Sequence, residues 1–305
     1  MQHTGRVEKS TGSWYLVRYG EEQITCRLRG KMRLLDENSI PVTNPVAVGD
    51  FVEFEINEDG TGSIFEVKER KNAILRQATH GRRGIQILAA NVDYGIAVQS
   101  VRQPALKEGF IDRFLVACEA YDVNPVILIN KMDLAKTKDL DKVQELKDLY
   151  EKLGYPIITG SIDDSEFQAS IKTLLKDATS VFIGPSGVGK SSLLNALDPD
   201  ISQKTGEIST FSNKGKHTTT YAELFRLSFG GYIVDTPGIR EFGLVGFKAE
   251  EIGHFFPEIS TVLGNCKFYN CTHHHEPGCA VKEAVENEEI SERRFKSYLN
   301  MLDTV

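Results

Sequence analysis

The run Gly184-Pro185-Ser186-Gly187-Val188-Gly189-Lys190-Ser191 constrains the fold more than any other stretch of this sequence. It fits G-x-x-x-x-G-K-[ST] and stands between an apolar segment, 180–183, and a helical pattern, 190–197, the setting such a loop requires. The glycines let successive N–H groups turn inward around phosphate oxygens, and the helix N-terminus adds positive potential there. In such a loop Lys190 reaches the β- and γ-phosphates and the Ser191 hydroxyl binds Mg²⁺. A bare glycine-rich turn would not need both flanks.

The surrounding pattern agrees. Segments 92–101, 125–129, 155–158, 180–183, 221–227 and 232–234 read as strands; 112–121, 140–153 and 190–197 read as helices. Val143, Leu146, Leu149, Tyr150 and Leu153 fall on one helical face, and Gly154 follows as a C-terminal stop. Alternating strands and helices predict an α/β domain with a largely parallel sheet.

Asn130-Lys131-Met132-Asp133 directly follows the strand ending at Ile129. The carboxyl ends of parallel strands are where open α/β sheets bind ligands. Asp133 there can accept two hydrogen bonds from guanine N1–H and the 2-amino group. Adenine offers no such pair and would leave a buried carboxylate unsatisfied. Asp235-Thr236-Pro237-Gly238 follows the apolar residues 232–234. Its pattern is common by itself, but downstream of a phosphate loop it places Asp235 near Mg²⁺ and the Gly238 N–H near the γ-phosphate. In Gly215-Lys216-His217-Thr218-Thr219-Thr220, a threonine hydroxyl, taken as Thr219, completes the Mg²⁺ shell. Thr159-Gly160-Ser161 is a candidate second contact to the base. Ile239 stands where Ras-like enzymes carry the glutamine that orients water, so His217 becomes the candidate group to orient or deprotonate it.

The order of these motifs is unusual. The guanine motif precedes the phosphate loop, so the nucleotide core is circularly permuted. Chemistry needs these groups adjacent in space, not in sequence. The segment after Gly238 then leads straight into the C-terminal part, which gives a covalent route for reporting the γ-phosphate.

The first seventy or so residues carry short strand patterns at 4–9, 13–19, 23–28, 47–56 and 63–69, bounded by turn signals. They predict a small β-barrel, plausibly an OB-fold, over residues 1–72; an SH3-like barrel would read similarly. The net charge of -7 argues against unspecific coating of nucleic acid. Locally, however, Arg27, Arg29, Lys31 and Arg33 form one basic run, and Lys68, Arg70, Lys71, Arg76, Arg82 and Arg83 form another. Both are candidate RNA contacts. No apolar stretch approaches the roughly 20 residues that span a bilayer, and the polar start does not read as a signal peptide. A cytoplasmic protein is expected, so cysteines mean thiols or metal rather than disulfides. Cys266-x4-Cys271-x-His273-x5-Cys279 suits a closed tetrahedral Zn²⁺ site, although His274 and His275 leave the imidazole ambiguous from spacing. Residues 73–246 are thus expected to form the permuted nucleotide domain and 247–305 a zinc-stabilised helical domain.

Taken together, the permuted motifs, Gly215–Thr220, Asp235–Glu241 and the Cys/His cluster with Glu276-Pro277-Gly278 resemble the bacterial ribosome small-subunit-dependent GTPase A family. The likeness runs over nearly the whole chain. It implies a monomeric GTPase, stimulated by the small ribosomal subunit and acting late in that subunit's maturation, with the barrel on ribosomal RNA. It implies that Asn130, Lys131, Met132 and Asp133, with Gly184 through Ser191 and Ser192, bind GTP. It implies that Cys266, Cys271, His273 and Cys279 hold zinc, and it points to the same His217. Lys216 stands where the family commonly has arginine, and Thr159–Ser161 is a weak likeness of the family's second guanine loop. The competing readings are a P-loop kinase or ATPase, a non-catalytic nucleotide-gated RNA-binding protein, and a membrane-traffic GTPase. The last lacks any lipidation signal.

Overall fold

The computed structural model describes residues 1–30, 42, 44–77, 85–204, 222–235 and 247–303. The chain starts with five strands: β1 (Gln2–Ser10), β2 (Tyr15–Tyr19), β3 (Glu22–Leu28), β4 (Phe51–Ile56) and β5 (Gly62–Val67). Alternate residues point inward, so Val7, Val17, Ile24, Cys26, Val52, Phe54 and Ile64 make one buried core. β1 pairs with both β2 and β4, β2 with β3, β3 in parallel with β5, and β5 with β4. The ring is closed, which leaves the barrel no free edge within itself and matches the expected OB-type barrel. The fourth strand is shorter than its sequence pattern. Gly49 takes φ 91°, and the Asp50 carboxylate accepts from the Ala47 N–H, so residues before Phe51 turn instead of extending.

A hairpin of β6 (Ala73–Gln77) and β7 (Ile85–Ala90), not anticipated from the sequence, follows the barrel. The α/β part then runs β8 (Tyr94–Ser100), α1 (Glu108–Ala120), β9 (Asn124–Asn130), α2 (Thr137–Lys152), β10 (Ile157–Thr159), α3 (Ser165–Leu175), β11 (Thr179–Ile183), α4 (Lys190–Leu197), α5 (Pro199–Lys204), β12 (Ala222–Arg226) and β13 (Tyr232–Asp235). Its strands lie in the order β10-β9-β8-β11-β13-β12, parallel except for β12. The pleat divides the core into two layers. Ala97, Ile127, Ile129, Val181 and Ile183 face α1 and α2; Ile96, Val98, Val126, Leu128 and Phe182 face α3 and α4. Strands covered on both faces read as continuous apolar runs, which is why β8 and β9 were legible. Gly154, at φ 87°, ends the descent from α2 where a side chain would be strained.

The barrel is stitched to this sheet. β1 continues past the barrel and pairs antiparallel with the edge strand β12, Lys9 opposite Glu223 and Ser10 opposite Ala222. A 2.7 Å ion pair joins Lys9 to Glu223, and the Arg6 guanidinium donates to Thr179 Oγ1 at 2.6 Å while lying over the Tyr232 ring.

The C-terminal part contains a 3-10 helix (Ala249–Phe255), α6 (Pro257–Ser260), α7 (Ala280–Glu286) and α8 (Glu292–Leu302). Its core gathers Ile252, Phe256, Ile259, Val281, Tyr298 and Met301, and it also takes in Val116 from α1. Helix α1 is therefore buried between the sheet and this unit. Among the described residues no helix is long and apolar enough to cross a membrane.

Candidate nucleotide site and metal cluster

The motif-bearing segments leave the sheet at one edge. Asn130 ends β9, Gly184 follows β11, Asp235 ends β13 and Gly160 follows β10, all at the carboxyl ends of parallel strands. This is the crevice in which open α/β sheets hold ligands.

The phosphate loop is shaped by its glycines. Gly187 and Gly189 sit at φ 84° and 99°. A Cβ on Gly189 would come within 2.5 Å of Asn130 Nδ2, so the loop approaches the guanine motif as only glycine permits. Gly189, at the N-cap of α4, has no side chain to cap the helix, and the first N–H groups of a helix have no intrahelical partner, as an anion site needs. Lys190 Nζ donates to the carbonyls of Gly184 and Pro185 at 2.7 and 2.9 Å, so the ammonium stands across the mouth of the loop. Val188 is buried and anchors the loop, whereas Ser186 and Ser192 are exposed.

The guanine motif is bound to that loop directly. Asn130 is buried, and its amide donates to the Val188 carbonyl at 3.0 Å. Among the described residues its Oδ1 finds no partner. Lys131 takes φ 62° and bridges two loops, its ammonium donating to the carbonyls of Gly187 and Gln103 at 2.6 and 2.5 Å. Met132 is partly buried against the core, and its N–H donates to the Gly160 carbonyl at 3.2 Å.

Asp133 is exposed at the rim and is held by Ser161. The Ser161 hydroxyl donates to Asp133 Oδ1 at 2.8 Å and accepts from the Asp133 N–H at 2.9 Å. The 159–161 loop thus lies against the guanine motif, where a base-contacting loop should be. Neither the Ser161 hydroxyl as the orienter of Asp133 nor the Gln103 carbonyl had a sequence signal, because each acts through tertiary proximity. His217, Thr218, Thr219, Gly238 and Ile239 lie outside the described residues.

The second site is the cluster of Cys266, Cys271, His273 and Cys279, whose candidate ligand atoms all lie within 4.8 Å of one another. His273 Nδ1 is 3.5 Å from Cys266 Sγ and 3.4 Å from Cys279 Sγ. Those separations match the edge, about 3.6 Å, of a tetrahedron built on ordinary Zn–S and Zn–N bond lengths. The group can hold a metal ion.

His274 and His275 are exposed and stacked on each other, so they stand apart from the cluster. Burial pushes the Cys271 thiol up to about 12, with Cys279 beside it adding to the rise. The loop is braced by Glu276, which accepts from the Thr272 N–H and hydroxyl and from the N–H groups of His274 and His275. Burial raises the Glu276 carboxyl, but those hydrogen bonds outweigh it and bring it down to about 2.

Among the described residues, the second basic run is paired with carboxylates. Arg70 is forked onto the buried Asp50 at 2.7 Å, Lys68 pairs with Glu53, and Lys71 with Asp93. Of the first run, Arg29 pairs with Glu55 at the exposed surface, and Arg27 lies 3.5 Å over the Trp14 ring. Lys31, Arg33, Arg82 and Arg83 lie outside the described residues, as does the side chain of Arg76.

Comparison with known proteins matches this arrangement over the whole chain. Residues 67–245 fit the family described as RsgA GTPase, and residues 4–64 fit the RsgA N-terminal domain. A small ribosomal subunit biogenesis GTPase RsgA 2 of Bacteroides thetaiotaomicron is 48% identical over 300 residues, covering 98% of this chain and 96% of the relative. The small ribosomal subunit biogenesis GTPase RsgA of Flavobacterium psychrophilum is 41% identical over 304 residues, covering 98% and 92%. The crystal structure of YjeQ from Thermotoga maritima superposes with a TM-score of 0.79 at 38% identity, covering 100% of this chain and 98% of that one. YloQ, described as a circularly permuted GTPase, gives 0.75 at 33% identity, covering 100% and 95%.

Proposed function

Because the chain belongs to the RsgA GTPase family and is therefore a GTP-hydrolysing enzyme, we propose that its hydrolysis serves late maturation of the small ribosomal subunit and is stimulated by that subunit. The observation that carries the catalytic half is the 3.0 Å bond from Asn130 to the Val188 carbonyl, which ties the guanine motif to the phosphate loop despite their reversed order. The ribosomal half rests on the relatives, which are small ribosomal subunit biogenesis GTPases.

In this reading Asp133 accepts from the guanine edge while Ser161 fixes its rotamer. Lys131 holds the base and phosphate loops in register. The N–H groups of Gly187 to Ser191 cradle the phosphates, with Pro185, Ser186 and Ser192 at their margin. Lys190 exchanges its loop carbonyls for β- and γ-phosphate oxygens, which places positive charge where negative charge grows in the transition state. Ser191, Thr219 and the Asp235 carboxylate provide an oxygen-rich set that suits Mg²⁺, and the Gly238 N–H meets the γ-phosphate. Mg²⁺, when bound with GTP, neutralises charge on the bridging phosphates. His217 orients the attacking water.

The cluster of three thiols and one imidazole holds a structural Zn²⁺, since a closed set of this kind leaves no position for substrate. Residues 1–72 act as the RNA-contacting barrel, 73–246 as the GTPase and 247–305 as the zinc-stabilised domain of a cytoplasmic monomer. The test is turnover of GTP, with ATP as control, with and without purified small subunits. Stimulation confined to GTP and to that subunit is expected. Equal turnover in both conditions would detach the chain from the ribosome, and equal use of ATP would defeat the guanine assignment.

A further inference from the structure

Between the 3-10 helix Ala249–Phe255 and the loop that carries Cys266 and Cys271 lies an open cleft of about 390 Å³. Glu250, Glu251 and His254 form one wall, Leu263 part of its lining, and Phe268 with Tyr269 the other wall. The back is the metal cluster. Four protein donors close that cluster, and one ion takes up less room than a water molecule, whose share of the liquid is about 30 Å³. Most of the cleft is therefore not accounted for by the metal.

Two features of its walls are unusual. Tyr269 is fully exposed, at 108%, and Phe268 beside it is exposed at 41%. Both stand in a loop pinned at each end by a metal ligand, so they are held out in water instead of folding back onto the core. Large exposed aromatic surface rimmed by polar groups marks a contact site. The charge of the cleft is the second feature. Glu250 and Glu251 are exposed, and among the described residues no lysine or arginine lines it. Among the described residues Glu250 makes no ion pair, and Glu251 spends one oxygen on the Lys248 N–H at 2.7 Å. A nucleic-acid backbone would bring its phosphates against these carboxylates.

We propose that this cleft is a docking site for an arginine side chain on a basic, extended segment of a partner protein. A guanidinium is planar, weakly hydrated and forked. It can lie on an aromatic face while donating to a carboxylate, a combination that an ammonium satisfies less well. Lys267 places its ammonium 5.7 Å from the Phe268 ring, so one of the two rings already meets a cation. The site is separate from the nucleotide crevice and does not depend on the ribosomal reading above.

The test uses the full metal-loaded chain and a fluorescein-labelled nonapeptide of alternating arginine and glycine, read by fluorescence anisotropy. Saturable binding is expected, weaker by about fivefold for the lysine counterpart. Glu250→Gln and Tyr269→Ala should each weaken it by about tenfold. Both residues are exposed and neither belongs to a nucleotide motif, so GTP turnover without partners should not change. Glu288→Gln, which removes an exposed charge elsewhere, should leave peptide affinity unchanged. If Glu288→Gln weakens binding as much as Glu250→Gln, the attraction is only the net negative charge and the proposal fails. It fails equally if a single-stranded RNA of nine nucleotides binds the wild-type chain more tightly than the peptide and loses that binding in Tyr269→Ala.

Discussion

At the scale of single residues, the site is a set of side chains whose roles are fixed by what they touch. In the proposed function, Asp133 is the residue on which base choice turns. Replacing it by asparagine keeps an acceptor for N1–H but turns the acceptor for the guanine 2-amino group into a donor, which suits the 2-oxo group of xanthine. Asp133→Asn should lower GTP affinity by about a hundredfold and improve binding of xanthosine triphosphate, read by nucleotide titration; unchanged GTP affinity would remove Asp133 from the recognition. Ser161→Ala frees the same carboxylate without removing it, so a smaller loss is expected. The metal cluster carries its own residue-scale consequence. With the Cys271 thiol pushed up to about 12 in the metal-free chain, a metal must displace its proton on binding. Apparent metal affinity should therefore rise with pH across neutrality, with proton release measurable by an indicator dye. Affinity independent of pH would contradict thiolate ligation.

At the scale of elements, α8 explains how the C-terminal unit is mounted. Its buried positions are Arg294, Ser297, Tyr298 and Met301, a helical face that includes a full charge. The Arg294 guanidinium, 1% exposed, donates to Asp112 of α1 at 2.7 Å and to Glu258 of α6 at 2.6 Å. Tyr150 of α2 donates to the same Asp112 oxygen at 2.7 Å. One turn on, Tyr298 donates to the Thr272 carbonyl in the metal loop at 2.9 Å. Burial opposes the Arg294 charge, but Glu258 and Asp112 outweigh it and raise its pKa. Removing one member of a buried set leaves the others unpaired. Arg294→Ala should cost about 3–5 kcal/mol, seen as a lower denaturation midpoint. The neighbouring Arg293 pairs with Glu108 and Glu145 at the surface, and Arg293→Ala should cost less than about 1 kcal/mol. Comparable losses from both would mean the buried set is not what seats the domain.

At the scale of the molecule, the three parts form a connected body. The barrel joins the sheet at the β1–β12 seam, and β12 is the strand that follows the threonine-rich loop. The C-terminal unit grips α1 and α2, the helices on either side of the guanine motif. The first attachment thus directly follows Gly215–Thr220 in sequence, and the second holds the two helices that flank Asn130–Asp133. The RNA contact proposed for the barrel is testable through charge. Arg27 and Arg29 remain at the surface, so Arg27→Glu with Arg29→Glu should weaken small-subunit binding and flatten its dependence on salt. Identical binding curves would move the contact elsewhere. Arg70, by contrast, is held on the buried carboxylate of Asp50.

What the sequence determined by itself was the local motifs, though not the β6–β7 hairpin or the start of β4. A strand, a glycine turn and a helix start define the phosphate loop; an apolar run followed by Asn130–Asp133 defines the guanine motif; cysteine spacing defines the metal cluster. Each is written in a few neighbouring residues, because backbone reach and side-chain chemistry set it. The tertiary structure decided what depends on distant segments meeting. It placed Ser161 on Asp133, seated Arg294 on Asp112, selected His273 by geometry over its exposed neighbours, and ran β1 on into the GTPase sheet. It also turned Arg70 from a candidate RNA contact into the partner of Asp50. Such pairings have no local signature: a buried arginine and a surface arginine look alike in a sequence until the fold supplies the carboxylates.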